Sequence, residues 1–220
     1  MDHAELRKYV RMVLTERIRN AKNASGRRPN TSKFSFSEFK KITDGTERMQ
    51  YANDRLEFLG EGSSRSVYVL TSKHVLKVAN CNAGVAQNKA EVDVFTNPLT
   101  KGFVAAIYDF DPKYAWLSSE LVVPFEHAEE IERLVPGVTD VGSWEDFVKH
   151  AIDDGSNQGY IKQFAPDLVE MANALAELAE TNNLMMGDLR KASSWGRGVD
   201  GRLVLLDYGY TVDVAEEHYS

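Results

Sequence analysis

The chain contains a single cysteine, Cys81, only six prolines among 220 residues, and no long apolar run. One thiol cannot close an internal disulfide, and no Cys or His cluster surrounds it, so neither a disulfide scaffold nor a structural zinc site is supported. No stretch approaches ~18 uninterrupted apolar residues, and Met1 to Lys8 are charged throughout. A membrane span and a secretory leader are therefore not expected, and a reducing cytoplasm is the expected compartment. Internal repeats and low-complexity tracts are also missing. What is present is 43% hydrophobic content with 10% aromatics, enough for the core of one large domain or two small lobes.

The net charge of -7 is unevenly spread. Residues 1–50 hold 12 Lys+Arg against 6 Asp+Glu, whereas the remaining 170 hold 14 against 27. The basic segment can meet an acidic partner, nucleic acid included, or dock on the acidic body of its own chain. Its cations are mixed with Glu16, Glu38 and Glu47 and lack aromatic interleaving, so no nucleic-acid module can be named.

Leu6, Tyr9, Val10, Val13, Leu14 and Ile18 repeat at helical spacing and predict an amphipathic helix over 3–22. A linker follows near 23–33, centred on Ala24 to Asn30. Phe34 to Phe39 opens a short helix with Ser35 or Ser37 as cap. From Arg55 the pattern turns to strands: 56–59, 66–70 and 75–79 form an antiparallel meander. Gln87 to Phe95 is helical and is stopped by Asn97-Pro98. Strands around 104–110 and 114–123 flank a turn at Asp111-Pro112. Asp109 and Asp111 resemble a metal pair, but a solvated turn is the preferred reading. Beyond Pro124 the chain reads as helical, with a capping arrangement at Ser143 to Asp146 and a longer helix over 166–181. Asp188, a polar Gly-containing stretch, and the strand Leu203 to Leu206 come last.

Four features follow in order: Gly60-Glu61-Gly62, Lys77 within Val75-Leu76-Lys77-Val78-Ala79, Asp188, and Asp207-Tyr208-Gly209. They supply a phosphate cover, a phosphate-pairing cation and two carboxylates, the parts that phosphoryl transfer from Mg-ATP requires. Each alone has a plainer reading as a hairpin turn, an edge-strand lysine, a loop cap, or a turn after a buried strand. Over residues 55–211 the set resembles the protein-kinase-like superfamily, and the chain is similar to short kinase-like proteins of tailed bacteriophages, which would place it in a host cytoplasm. The resemblance implies an α+β, two-lobed protein-kinase-like fold with an antiparallel N-lobe sheet and a reduced, mostly helical C-lobe. Its expected parts are a basic helical extension at 1–50, an N-lobe at 51–123 and a C-lobe at 124–220.

By the same resemblance, Gly60, Gly62, Ser63 and Ser64 line the phosphates, with Arg65 where a third glycine usually stands. Val67 covers the base, Lys77 pairs with the phosphates, and Glu91, fourteen residues on, orients Lys77. The carbonyl of Glu120 and the backbone of Val122 hold the adenine edge. Asp188 orients the attacking hydroxyl, Arg190 steadies the gamma phosphate, and Asp207 holds Mg2+ with help from Ser193 or Ser194. Gly187-Asp188 is nearer the form of aminoglycoside phosphotransferases than that of protein kinases, and Met186 replaces the usual His.

The departure with most chemical weight is Ser193 or Ser194 in the place of the metal-binding Asn. Only eleven residues follow Gly209, so a peptide platform is not expected. Either the substrate is small, or a protein partner supplies that surface, or no transfer occurs. Three readings stay open at this point: a small Mg-ATP-dependent kinase, a catalytically weak kinase-like module that binds a protein, and a structural or nucleic-acid-associated protein led by its basic segment.

Overall fold

The computed structural model describes residues 33–100, 102–152, 158–198 and 200–219. The helix expected at 3–22 and the linker stretch 24–30 lie outside them. The architecture is α+β: an antiparallel sheet occupies the N-terminal part and helices dominate the C-terminal part. Two compact units are present, one of residues through Lys89 plus Ala106–Leu121, the other of Ala90–Ala105 plus the residues from Val122 onward.

The first unit contains helices α1 (Phe36–Phe39) and α2 (Gly45–Arg55) and strands β1 (Glu57–Glu61), β2 (Arg65–Val69), β3 (His74–Ala79), β4 (Ile107–Phe110) and β5 (Trp116–Glu120). The five strands form one sheet in the order β1-β2-β3-β5-β4, every neighbour antiparallel. Side chains alternate between the faces of a strand. Tyr68, Leu76, Val78 and Trp116 thus share one face, where they are buried with Phe39 and Ala52. Phe36 and Phe39 meet Trp116 edge-on at 5.2 and 5.7 Å between ring centroids, a geometry that aromatic quadrupoles favour. Lys40 adds an ion pair to Asp109 and lies over the Phe36 ring. The described end of the basic segment therefore docks on its own chain.

Helix α2 is absent from the sequence reading because Gly45 to Arg55 contains few apolar residues. Its start is nevertheless written in Asp44, whose carboxylate accepts the Glu47 N–H at 2.9 Å. Asp44→Ala leaves that N–H without its cap and is expected to cost about 1 kcal/mol. Thermal melting checks this: a loss under a few tenths would mean water caps the helix equally well.

The β4–β5 turn decides the role of its two aspartates. Asp111 accepts the N–H groups of Lys113 and Ala115, at 3.0 and 3.2 Å, and Tyr114 adopts a left-handed φ of 57°. Asp109 is engaged by Lys40. Asp111 thus holds the turn while Asp109, on β4, pairs with a lysine, and no group of three or more potential metal ligands occurs among the described residues.

Helix α3 (Asn82–Thr96) contributes its residues through Lys89 to the first unit and those from Ala90 to the second. It starts five residues before the sequence expectation and ends where Asn97-Pro98 predicts. The second unit adds α4 (Ala128–Leu134), α5 (Trp144–Ile152), α6 (Gln158–Phe164), α7 (Val169–Thr181), α8 (Met186–Arg190) and α9 (Val212–His218). Its core centres on Trp144 and Trp195, edge-on at 5.1 Å, with Phe147, Ile161, Leu175 and Leu178. Ser143 and Asp146 cap α5 reciprocally: Asp146 accepts the Ser143 N–H at 3.1 Å, and Ser143 Oγ accepts the Asp146 N–H at 3.2 Å. A second antiparallel sheet, β6 (Val123–Pro124), β7 (Trp195–Arg197) and β8 (Leu203–Leu205), contains the strand expected at Leu203 to Leu206 and adds two strands that the sequence reading did not have. No described helix is long and apolar enough to cross a membrane.

Candidate functional site

In the first unit the sequence-selected residues fall on three adjacent strands. Gly60 pairs with Val67 and Val67 with Lys77, so these positions form one row across β1, β2 and β3. The row lies on the sheet face opposite Tyr68 and Leu76. Lys77 continues it to Leu117 on β5 and is only 7% exposed. A buried ammonium is costly unless negative charge or hydrogen-bond acceptors meet it.

The Gly-containing turn is tight. β1 runs through Gly60 and Glu61, and the Gly62 N–H donates to the Arg65 carbonyl at 2.9 Å. Its far side is fastened to α3. Ser64 Oγ donates to Gln87 Oε1 at 2.9 Å, the Ser64 carbonyl accepts the Asn80 N–H at 2.9 Å, and the Arg65 guanidinium donates to Asn88 Oδ1 at 3.4 Å. Arg65 is buried at 7% exposure, with its charge directed at the helix. Asn88, itself fully buried, uses its amide nitrogen to donate to the Tyr114 carbonyl at 2.8 Å. A Cβ at Gly84, in the first turn of α3, would overlap the Ser64 carbonyl oxygen, so only glycine permits this approach.

Glu120 closes β5. Its N–H donates to the Ala106 carbonyl at 2.7 Å, and its carboxylate accepts the Ala106 N–H at 3.3 Å. Val122, in the second unit, is buried just before β6. A Cβ at Gly196 on β7 would stand 2.6 Å from Val122 Cγ1, so β7 packs tightly against this segment. Glu91 is fully buried in α3.

The second unit gathers the remaining candidates. Asp188 sits in the one-turn helix α8 instead of a loop, and Trp195 Nε1 pins that helix by donating to the Leu189 carbonyl at 2.7 Å. Lys191 donates to Asp188 Oδ1 at 2.6 Å. The Lys191 pKa is raised by that hydrogen bond first, then by the charge of Asp188, with smaller contributions from Asp207 and Tyr210. Asp188 and Asp207 therefore act on one cation.

The ladder explains why. Trp195 pairs with Leu205 and the Leu206 N–H donates to the Ser194 carbonyl at 2.9 Å. Ser193 lies in the 3-10 turn Ala192–Ser194, between Lys191 and this ladder. Ser193 and Asp207 are exposed, whereas Ser194 is buried. Arg190 is half-buried, and it is Lys191 that holds the Asp188 carboxylate. The sequence reading missed Lys191. Its signal was the i,i+3 spacing from Asp188, which becomes informative only once a helical turn is assigned there.

No family model matches the chain, and no curated protein matches it. Among solved structures, the streptomycin-ATP-APH(2")-IIa ternary complex aligns with a TM-score of 0.40 and 13% sequence identity, covering 76% of this chain and 72% of that one.

Proposed function

We propose that this protein binds Mg-ATP and transfers the gamma phosphate to a hydroxyl acceptor. The observation that carries the reading is the second-unit cluster: Lys191 donates to Asp188 Oδ1 at 2.6 Å, and Asp207, separated from Asp188 by eighteen intervening residues, also raises the Lys191 pKa, by less. Two carboxylates of different surroundings that share a cation suit a division of labour. Asp188, 22% exposed at its side chain and hydrogen-bonded, orients the attacking hydroxyl. Asp207, exposed at the end of β8, is a hard oxygen donor, and exposed Ser193 offers a second one. Magnesium suits such a pair, since it is held through one or two carboxylates together with substrate phosphates. Bound there, it would neutralise charge that builds on the transferring phosphoryl group. Within the first unit, the Gly60–Val67–Lys77 row places a backbone turn, an apolar surface and a cation in register, which fits base and phosphates in sequence along one sheet face.

A second reading, a kinase-like module of weak or absent activity that works by binding a protein, draws on one specific observation. The Lys191 ammonium occupies Asp188 Oδ1 at 2.6 Å, where an acceptor hydroxyl would have to bond. The two are separated by thermal melting with and without Mg-ATP, followed by a labelled-phosphate assay. Saturation at ~100 times Kd is expected to add about 2.7 kcal/mol, a melting shift of roughly 5 to 11 °C at this size. Asp207→Asn should remove the magnesium-dependent part. No shift at millimolar Mg-ATP would end the first reading, and a shift without any transfer would select the second.

A further inference from the structure

Strand β5 lies inside the sheet, with β3 on one side and β4 on the other, and every one of its residues is buried. Alternation directs Trp116, Ser118 and Glu120 to one face and Leu117 and Ser119 to the other. The register sets Leu117 opposite Lys77, and Ser119 opposite Val75 on β3 and Ile107 on β4. Ser119 is thus the diagonal neighbour of Lys77 on the same face, a separation of roughly 7–8 Å in an antiparallel ladder. It is 1% exposed, and its Oγ has no hydrogen-bond partner among the described residues. Between Val75 and Ile107 a methyl group would fit with no polar penalty. A hydroxyl at such a position calls for a partner that the described residues do not provide.

We infer that Ser119 reads the base: its Oγ accepts a hydrogen bond from the 6-amino group of an adenine nucleotide, while the carbonyl of the adjoining Glu120 accepts the other hydrogen of that amine. The inference rests on the nucleotide-binding reading above and adds which edge of the base is recognised. A primary amine carries two donors, and two acceptors on consecutive residues of one strand match it. A 6-oxo purine presents an acceptor there, which the Glu120 carbonyl would repel.

The test is calorimetric titration of the full chain, as wild type, Ser119→Ala and the size-conserving Ser119→Cys, with Mg-ATP and with magnesium purine riboside triphosphate, which has hydrogen in place of the amine. Wild type should prefer ATP by roughly a hundredfold, about tenfold for each of the two hydrogen bonds that the amine makes in a buried site. Ser119→Ala should lose about tenfold for ATP, keeping the share due to the Glu120 carbonyl, and stay within about twofold for the analogue, with Ser119→Cys intermediate. The ligand-free Ser119→Ala protein should melt no lower than wild type, since no internal bond is removed. Equal losses for both ligands, an unchanged ATP affinity, or a lower ligand-free melting point would overturn the assignment to the amine. If wild type binds the two ligands equally, this inference alone fails. If it binds neither, the nucleotide reading fails and takes this one with it.

Discussion

Asp188→Asn is expected to reduce phosphate transfer by about 10²–10⁴, the range associated with losing a positioned acid–base group, while leaving the Mg-ATP melting shift in place. The substitution keeps the size of the side chain and removes its charge. The amide oxygen can still accept from Lys191, but it no longer holds an incoming hydroxyl with a full negative charge. Lys191 is 63% exposed at its side chain, so the ion pair itself contributes little to folding and the variant should melt close to wild type. The hydrogen bond to Asp188 and the charge of that carboxylate raise the lysine pKa. On the lysine side the pair is therefore lost only as pH rises through that raised pKa. An assay at pH 7 therefore sees it intact. Single-turnover transfer of labelled phosphate, run beside the melting assay, measures both halves. Equal transfer by wild type and variant would remove Asp188 from the chemistry.

Gly84→Ala should be the most damaging single methyl group in the first unit, costing about 3 kcal/mol and lowering the melting point by roughly 6 to 12 °C. A Cβ there meets not only the Ser64 carbonyl oxygen but also Ala79 Cβ at 3.0 Å and Ala79 Cα at 3.1 Å. None of these is the end of a flexible side chain. The Ser64 carbonyl is also held by the Asn80 N–H, so it cannot rotate aside without losing that bond. Gly45→Ala is the control: nothing stands within 4 Å of its Cβ, and a small gain in stability is expected from the stiffer unfolded chain. Similar melting points for the two variants would mean that α3 and the turn separate easily.

The meander was legible because β2 and β3 are short runs rich in Val, Leu and Tyr on either side of a polar turn at Thr71 to His74, and α7 because Leu168, Ala172, Leu175 and Ala179 return to one face every three or four residues. The stop after Thr96 was legible in Asn97-Pro98. Strand β7 was not. Trp195-Gly196-Arg197 is too short to show a period, and it is a strand only because β6 and β8 flank it, a contact invisible in local sequence. The same non-local pairing brings Ser194 beside Leu206, the residue before Asp207. The requirement for glycine at position 84 is tertiary as well, since no turn or left-handed φ demands it. At Asp188 the motif order singled out the residue, but its ion partner depended on a helical turn of five residues that carries little apolar signal.

Asn88 joins two places that the chain separates widely. One end of its amide takes the Arg65 guanidinium and the other gives a proton to the Tyr114 carbonyl, so the β1–β2 turn and the β4–β5 turn are strapped to one buried crosspiece. Neither turn can swing without the other feeling the tug, and a clamp on phosphate at the first would stiffen the second, with no moving lid required.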